Sequence, residues 1–173
     1  MLYLFMALFA VIVVIVDQLT KFWVVESIAE GGIVPVLDGV FHLTFVKNTG
    51  AAFSSFEGQQ WLFLLIFLLF TAAIIWEFSK KRLPFTTFER WCIVGIYAGG
   101  LANMIDRVRL SYVVDMIALD FLYVPAIDFA NRSIQWVPFA VFNVADCFIT
   151  CGCIVLMAHL VLFNRKFWKD DKK

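Results

Sequence analysis

The sequence predicts an all-α membrane bundle of four transmembrane helices with a small extracytoplasmic β-rich element, and three observations carry that expectation. The composition is 62% hydrophobic and only 16% charged, well beyond the roughly 45–50% apolar usage of water-soluble domains. Four long apolar runs contain no Asp, Glu, Lys or Arg. One connection, residues 34–47 (VPVLDGVFHLTFVK), alternates in part and is rich in Val and Phe, the pattern of a strand or hairpin. No linker, repeat or charge block divides the chain, so residues 1–173 read as a single domain. With a formal net charge of zero, no nucleic-acid partner is expected.

The runs are Leu2 to Val16, Trp61 to Trp76, Trp91 to Ile105 and Cys147 to Phe163, each 15 to 17 residues between charged neighbours. A span of a ~30 Å hydrocarbon core needs about 20 residues. The deficit is met by extending the first through Asp17 and Lys21 to Val25, the third through Asp106, and the fourth back through Asp146 to Phe142. Carboxylates therefore enter three helices. The first run has no preceding positive residue and no small-residue cleavage pattern after it, so a retained helix is expected rather than a signal peptide.

With four spans, one side of the membrane collects nine of the fourteen basic residues, from Lys80, Lys81, Arg82, Arg90 and the tail after Phe163. Under the positive-inside rule that side is cytoplasmic, which places both termini inside. Ten of the fourteen acidic residues fall outside or near the outer face. Asp17 stands 16 residues from Met1, Asp106 stands 16 from Arg90, and Asp146 stands 17 from Phe163. At 1.5 Å per residue each lies about 24–26 Å from the inner end of its helix. Three carboxylates at one level, at a cost of about 2.5–3.5 kcal/mol each if placed centrally, mark a candidate site facing the bundle interior or a cavity.

Asn103 with Arg107, Asn103 with Asp106, and Asn143 with Asp146 are helix-face neighbours. Read from the residues alone, Asp17, Asn103, Asp106 and Arg107 act as interhelical glue, with Asp106 paired to Arg107 or Arg109. Asp146 has no basic residue within a helical turn, and Asp115, in YVVDMIALDF, has no adjacent cation. Two such carboxylates brought together share a proton. The pair can activate water against a peptide carbonyl, one as base and the other as acid, with no metal or cofactor.

The blocks DQLTK (Asp17 to Lys21), NTGAAF (Asn48 to Phe53), NMIDR (Asn103 to Arg107), VVD (Val113 to Asp115) and FNVAD (Phe142 to Asp146) resemble, in order, the signature blocks of the bacterial lipoprotein signal peptidase (signal peptidase II) family. The resemblance implies a four-span aspartic peptidase of the bacterial inner (cytoplasmic) membrane, with its site near the outer face. Its substrates would be prolipoproteins, cut just before a Cys that carries diacylglycerol. By the same resemblance Asp115 and Asp146 match the catalytic aspartates; Asn48, Gly50, Asn103, Arg107 and Asn143 match positions that line or support the site; and Asp17 and Lys21 match the first block. Globomycin-type inhibitors, membrane lipid and a monomeric state are the implied partners and assembly.

The chain departs from that pattern. Ser111 stands where a Gly usually precedes the catalytic aspartate by four residues, and 30 residues separate Asp115 from Asp146, more than is usual. The added segment brings Asp120 and Asp128, either of which is an alternative partner for Asp146. Its aromatics and prolines suit a lid or saddle at the interface. Other readings of the intramembrane carboxylates are an ion- or proton-coupled transporter and a non-catalytic lipid-binding assembly protein. A conducting path needs polar groups at several depths, whereas the second run holds only Thr71 between Trp61 and Ile75. Cys147, Cys151 and Cys153 read as small hydrophobes. His42 and His159 lie too far apart to share a site.

Overall fold

In a computed structural model, residues 1–50, 59–80, 83–128 and 133–164 are described, with 124–128 and 133–138 taken by their backbone alone. The helices are α1 (Leu2–Ser27), α2 (Gln60–Lys80), α3 (Thr87–Leu110) and α4 (Val144–Leu162). The strands are β1 (Ile33–Leu37), β2 (Phe41–Asn48), β3 (Val113–Leu119), β4 (Tyr123–Asp128) and β5 (Ser133–Pro138).

Three helices, α1, α2 and α4, are long and apolar enough to cross a membrane. Their outward faces are apolar, as with Leu8, Ile12, Leu19 and Phe22 on α1 and Ile66 and Leu69 on α2, the reverse of a helix facing water. Of the four expected spans, these three are found by length and composition among the described residues. The remaining helix, α3, carries Glu89, Arg90, Asp106, Arg107 and Arg109 at its ends and packs against the other three. It meets α4 closely: a Cβ on Gly99 would lie 2.5 Å from the Ala145 carbonyl oxygen, so only glycine permits this approach.

The β-rich element is larger than expected. β1, β2 and β3 form one antiparallel sheet, and β4 pairs with β5 as a separate two-stranded hairpin. Strands at 33–37 and 41–48 meet the hairpin expectation for residues 34–47. By contrast β3 and the β4–β5 hairpin occupy stretches read from the sequence as an apolar continuation and an interfacial saddle. Along β3 side chains alternate between faces. Val114 and Met116 join Val24 of α1, Ile28 at its C-cap and Phe45 of β2 in a buried core, which leaves Asp115 on the opposite face.

Two helix boundaries shape the site. Asn143 caps α4: its Oδ1 accepts from the Asp146 N–H (2.9 Å), and Asp146 Oδ2 accepts from the Asn143 N–H (3.1 Å). This reciprocal arrangement is a capping box. It places the helix start at Val144 rather than at Phe142, which instead bridges to Ile117 of β3. The C-cap of α3 is Ser111 with φ 66°, in the left-handed region, at the position where the resemblance called for Gly. A side chain there is strained by about 1 kcal/mol or more. Ser111→Gly is therefore expected to stabilise the protein by ~1 kcal/mol with unchanged activity, measured by thermal unfolding in detergent alongside a cleavage assay.

A second polar layer lies at the other end of the helices. At the end of α3 remote from Asp106, Glu77 pairs with Arg90 (3.1 Å), and buried Glu89 accepts from His159 Nδ1 (2.8 Å) and from Asn164 Nδ2 (2.8 Å). Glu89 stands 17 residues from Asp106, about 25 Å at the helical rise, so this layer is separate from the site below.

Candidate active site

The sequence-separated polar residues converge where β3, α3 and the start of α4 meet. Asp115 is 2% exposed. Its Oδ2 accepts from Asn48 Nδ2 (2.8 Å) and its Oδ1 from Asn143 Nδ2 (2.7 Å). Asp146 Oδ1 accepts from Asn103 Nδ2 (2.8 Å). Asn143 thus touches both aspartates, Asp115 through its side-chain amide and Asp146 through its backbone N–H. Both carboxylates line one cavity of about 910 Å³, together with Asn48, Asn103 and Arg107. Among the described residues neither aspartate forms an ion pair.

Burial pushes the Asp115 carboxyl up to about 7 from 3.8, and the nearby Asp146 charge adds to the rise. The N–H donors of Asn48 and Asn143 and the Lys21 charge act in the opposite direction. Desolvation prevails because the side chain sits on a buried strand. Asp146 occupies the first turn of α4, where a helix's positive end accommodates negative charge.

Behind this layer lies a buried ion triad. Lys21 Nζ is 2.8 Å from Asp17 Oδ2 and 2.8 Å from Asp106 Oδ2, with all three side chains at most 3% exposed. The remaining oxygens are satisfied as well: Asp17 Oδ1 by the Ala145 N–H (2.8 Å), and Asp106 by Gln18 Nε2 (2.8 Å) and the Val114 N–H (3.2 Å). The triad ties α1, α3, β3 and α4 together. Asp106 therefore pairs with Lys21; Arg107, one position on, points in a different direction, and Arg109 donates to Gln18 Oε1 (3.4 Å) instead. Lys21 also donates to Asn103 Oδ1 (2.8 Å). An ammonium only donates, so it fixes the Asn103 amide with its oxygen toward Lys21 and its NH2 toward Asp146.

Arg107 serves another element. Its Nη2 donates to the Gly50 carbonyl (2.5 Å) and its Nη1 to Gln60 Oε1 (3.1 Å), and the guanidinium lies 4.0 Å from the Phe63 ring centroid. Asn48 Oδ1 accepts from the Gly50 N–H (3.0 Å), so the Asn-Thr-Gly turn is ordered by the same side chain that donates to Asp115. Gln60 was not singled out in the sequence. Its amide reaches Thr49 O (3.1 Å) and Ser111 O (2.7 Å), and the only signal for it is its place as the last polar residue before an apolar run.

The alternative partners for Asp146 separate from the site. Asp120 pairs with His42, Nδ1 to Oδ1 at 2.6 Å, and does not line the cavity. The side chain of Asp128 and residues 51–53 of the NTGAAF block lie outside the described residues. Below Asp146 the cavity follows Cys147, Ile149, Thr150 and Cys151 along α4. Cys147 and Cys151 also line an adjoining apolar groove of about 430 Å³.

A family model described as signal peptidase (SPase) II matches residues 9–162. A lipoprotein signal peptidase of Streptococcus pyogenes serotype M1 is 37% identical over 161 residues, covering 93% of this chain and 91% of the relative. A counterpart from serotype M5 (strain Manfredo) gives the same identity and coverage. A solved bacterial membrane enzyme, determined by the in meso method at 2.3 Å resolution, superposes with a TM-score of 0.73 at 29% identity, over 97% of this chain and 93% of that one.

Proposed function

This chain belongs to the signal peptidase II family, and from that premise we propose that Asp115 and Asp146 are the catalytic dyad with which it removes signal peptides from prolipoproteins. The observation that carries the reading is the meeting of two unpaired carboxylates, one from a strand and one from a helix start, on a single cavity with Asn143 touching both.

Asp115 holds the proton near neutral pH, and Asp146 is the base. Water attacks the scissile carbonyl carbon while its proton passes to Asp146 and the Asp115 proton passes to the carbonyl oxygen, giving a tetrahedral diol. On collapse the C–N bond breaks, the leaving nitrogen takes the proton from Asp146, and a diol proton returns to Asp115. Asn48, Asn103 and Asn143 hold the carboxylates, Gly50 and Arg107 shape the rim, and Asp17 and Lys21 brace the layer behind. No metal or cofactor enters this scheme.

The cut falls just before a Cys carrying diacylglycerol. The apolar lower cavity and its adjoining groove fit acyl chains, which orient the peptide at the dyad. We place α3 as the fourth span, both termini in the cytoplasm and the site near the outer face of a bacterial cytoplasmic membrane, with the chain a monomer open to globomycin-type inhibitors. The test is purified enzyme with one prolipoprotein in two forms. The diacylglyceryl form is expected to be cleaved with kcat/KM about 100-fold above the unmodified form. Equal rates would remove the lipid from recognition.

A further inference from the structure

We propose that His42 and Asp120, neither of which belongs to the cavity, form a positioning pair that sets the cavity wall facing α4 and so determines how tightly the substrate peptide is held. This rests on the reading of the Asp115/Asp146 cavity as the active site.

His42 lies on β2, with Pro35 of β1 on one side and Ala118 of β3 on the other. Asp120 follows β3 directly and begins the turn to β4. The two side chains are half-buried and meet at 2.6 Å, His42 Nδ1–H donating to the carboxylate. The Asp120 N–H also donates to the Val40 carbonyl (2.9 Å). The start of the β4–β5 hairpin is thereby pinned to the tip of the β1–β2 hairpin.

What this pin holds is the cavity wall. Leu119 and Leu122, either side of the pinned turn, line the cavity, as do Phe139 and Phe142 on the return path to α4. The Phe139 N–H donates to the Leu122 carbonyl (2.9 Å), and the rings of Phe139 and Phe142 meet edge to face with centroids 6.1 Å apart. At the α4 end the wall is fixed separately, by Phe142 bonding to Ile117 in both directions. Beyond these anchors, among the described residues, β4 and β5 pair only with each other. A two-stranded ribbon is marginal alone, so its direction is set at its root. The dyad and its amides hang from β3, α3, the start of α4 and, through Asn48, the far end of β2, six residues from His42, so releasing the pin moves the peptide-holding wall and leaves the reacting groups in place.

The experiment is steady-state cleavage of a diacylglyceryl prolipoprotein by the full-length enzyme in detergent, with thermal unfolding as the check on folding. His42→Ala and Asp120→Ala are each expected to raise KM about tenfold with kcat within about twofold. The double variant should be no worse than either single one, as required of a coupled pair. His42→Asn, whose amide N–H sits where Nδ1–H sits, and Asp120→Asn, which keeps the accepting oxygen, should retain the wild-type KM. If the alanine variants fail to fold, His42→Gln, with its amide displaced by one methylene, should show the KM rise. Unchanged KM, a fall in kcat at constant KM, additive effects in the double variant, or no retention in His42→Asn would each overturn the pair. Asp115→Asn assayed in parallel separates the two ideas. Retained cleavage there removes the dyad, whereas an inactive Asp115→Asn with unchanged KM in His42→Ala removes the positioning pair alone.

Discussion

Asp115→Asn and Asp146→Asn are each expected to lower kcat for prolipoprotein cleavage by on the order of 10³-fold, the loss of one proton-transfer partner, while the folded protein persists. The two fail for different reasons. At residue 146 the carboxylate that takes the water's proton is gone, and its cap contact with the Asn143 N–H weakens, a change of about 1 kcal/mol. At residue 115 the acid is gone, and an amide must turn its NH2 toward either Asn48 or Asn143, both of which already point N–H groups there. Thermal unfolding separates loss of chemistry from loss of fold. Cleavage at the wild-type rate by either folded variant would sink the dyad.

The same assignment fixes a pH dependence. Asp115 must be protonated to act as the acid, and its carboxyl is raised to about 7, so kcat/KM should fall as pH rises through about 7. For stability the sign is the same. The folded state keeps a proton that the unfolded chain releases above 3.8, so the contribution is full below that pH and is lost as pH rises through about 7. A folded Asp115→Asn variant should lose this component of the stability profile. An alkaline limb unchanged in wild-type enzyme up to pH 9 would contradict the assignment of the acid.

Lys21→Met should be the most destabilising single change near the site, by about 3–5 kcal/mol. It leaves Asp17 and Asp106 facing one another, both almost wholly buried, with no cation between them. It also frees the Asn103 amide, whose oxygen Lys21 holds, so residual folded enzyme should have a lowered kcat as well. Adding Asp106→Asn removes one of the two uncompensated charges and should restore part of the lost stability. A Lys21→Met melting temperature equal to wild type would show that the triad contributes nothing net.

The legible parts of the fold were those with uninterrupted patterns. Helices α1, α2 and α4 announce themselves as apolar runs, and the Val/Phe alternation of residues 34–47 anticipates β1 and β2. β3 was hidden because VVDMIAL is buried along most of its length and reads like an extension of the preceding apolar helix. Only the strained Ser111 marks the break. Asp115 and Asp146 stood out through the absence of any local cation, a feature visible in one dimension. The partners of Asp106 were not visible, since Lys21 lies 85 positions away and Arg107 and Arg109 offered nearer candidates.

Gly99 allows α4 to lie directly against α3, so the wall bearing Asp146 has no freedom to yield to a bulkier guest. Accommodation must come from the side built by Leu119, Leu122 and the segment up to Phe142, a piece of backbone outside the four helices that can be lengthened or re-dressed without disturbing their packing. Divergence in clientele among such enzymes should accordingly accumulate in that hairpin root rather than among the asparagines.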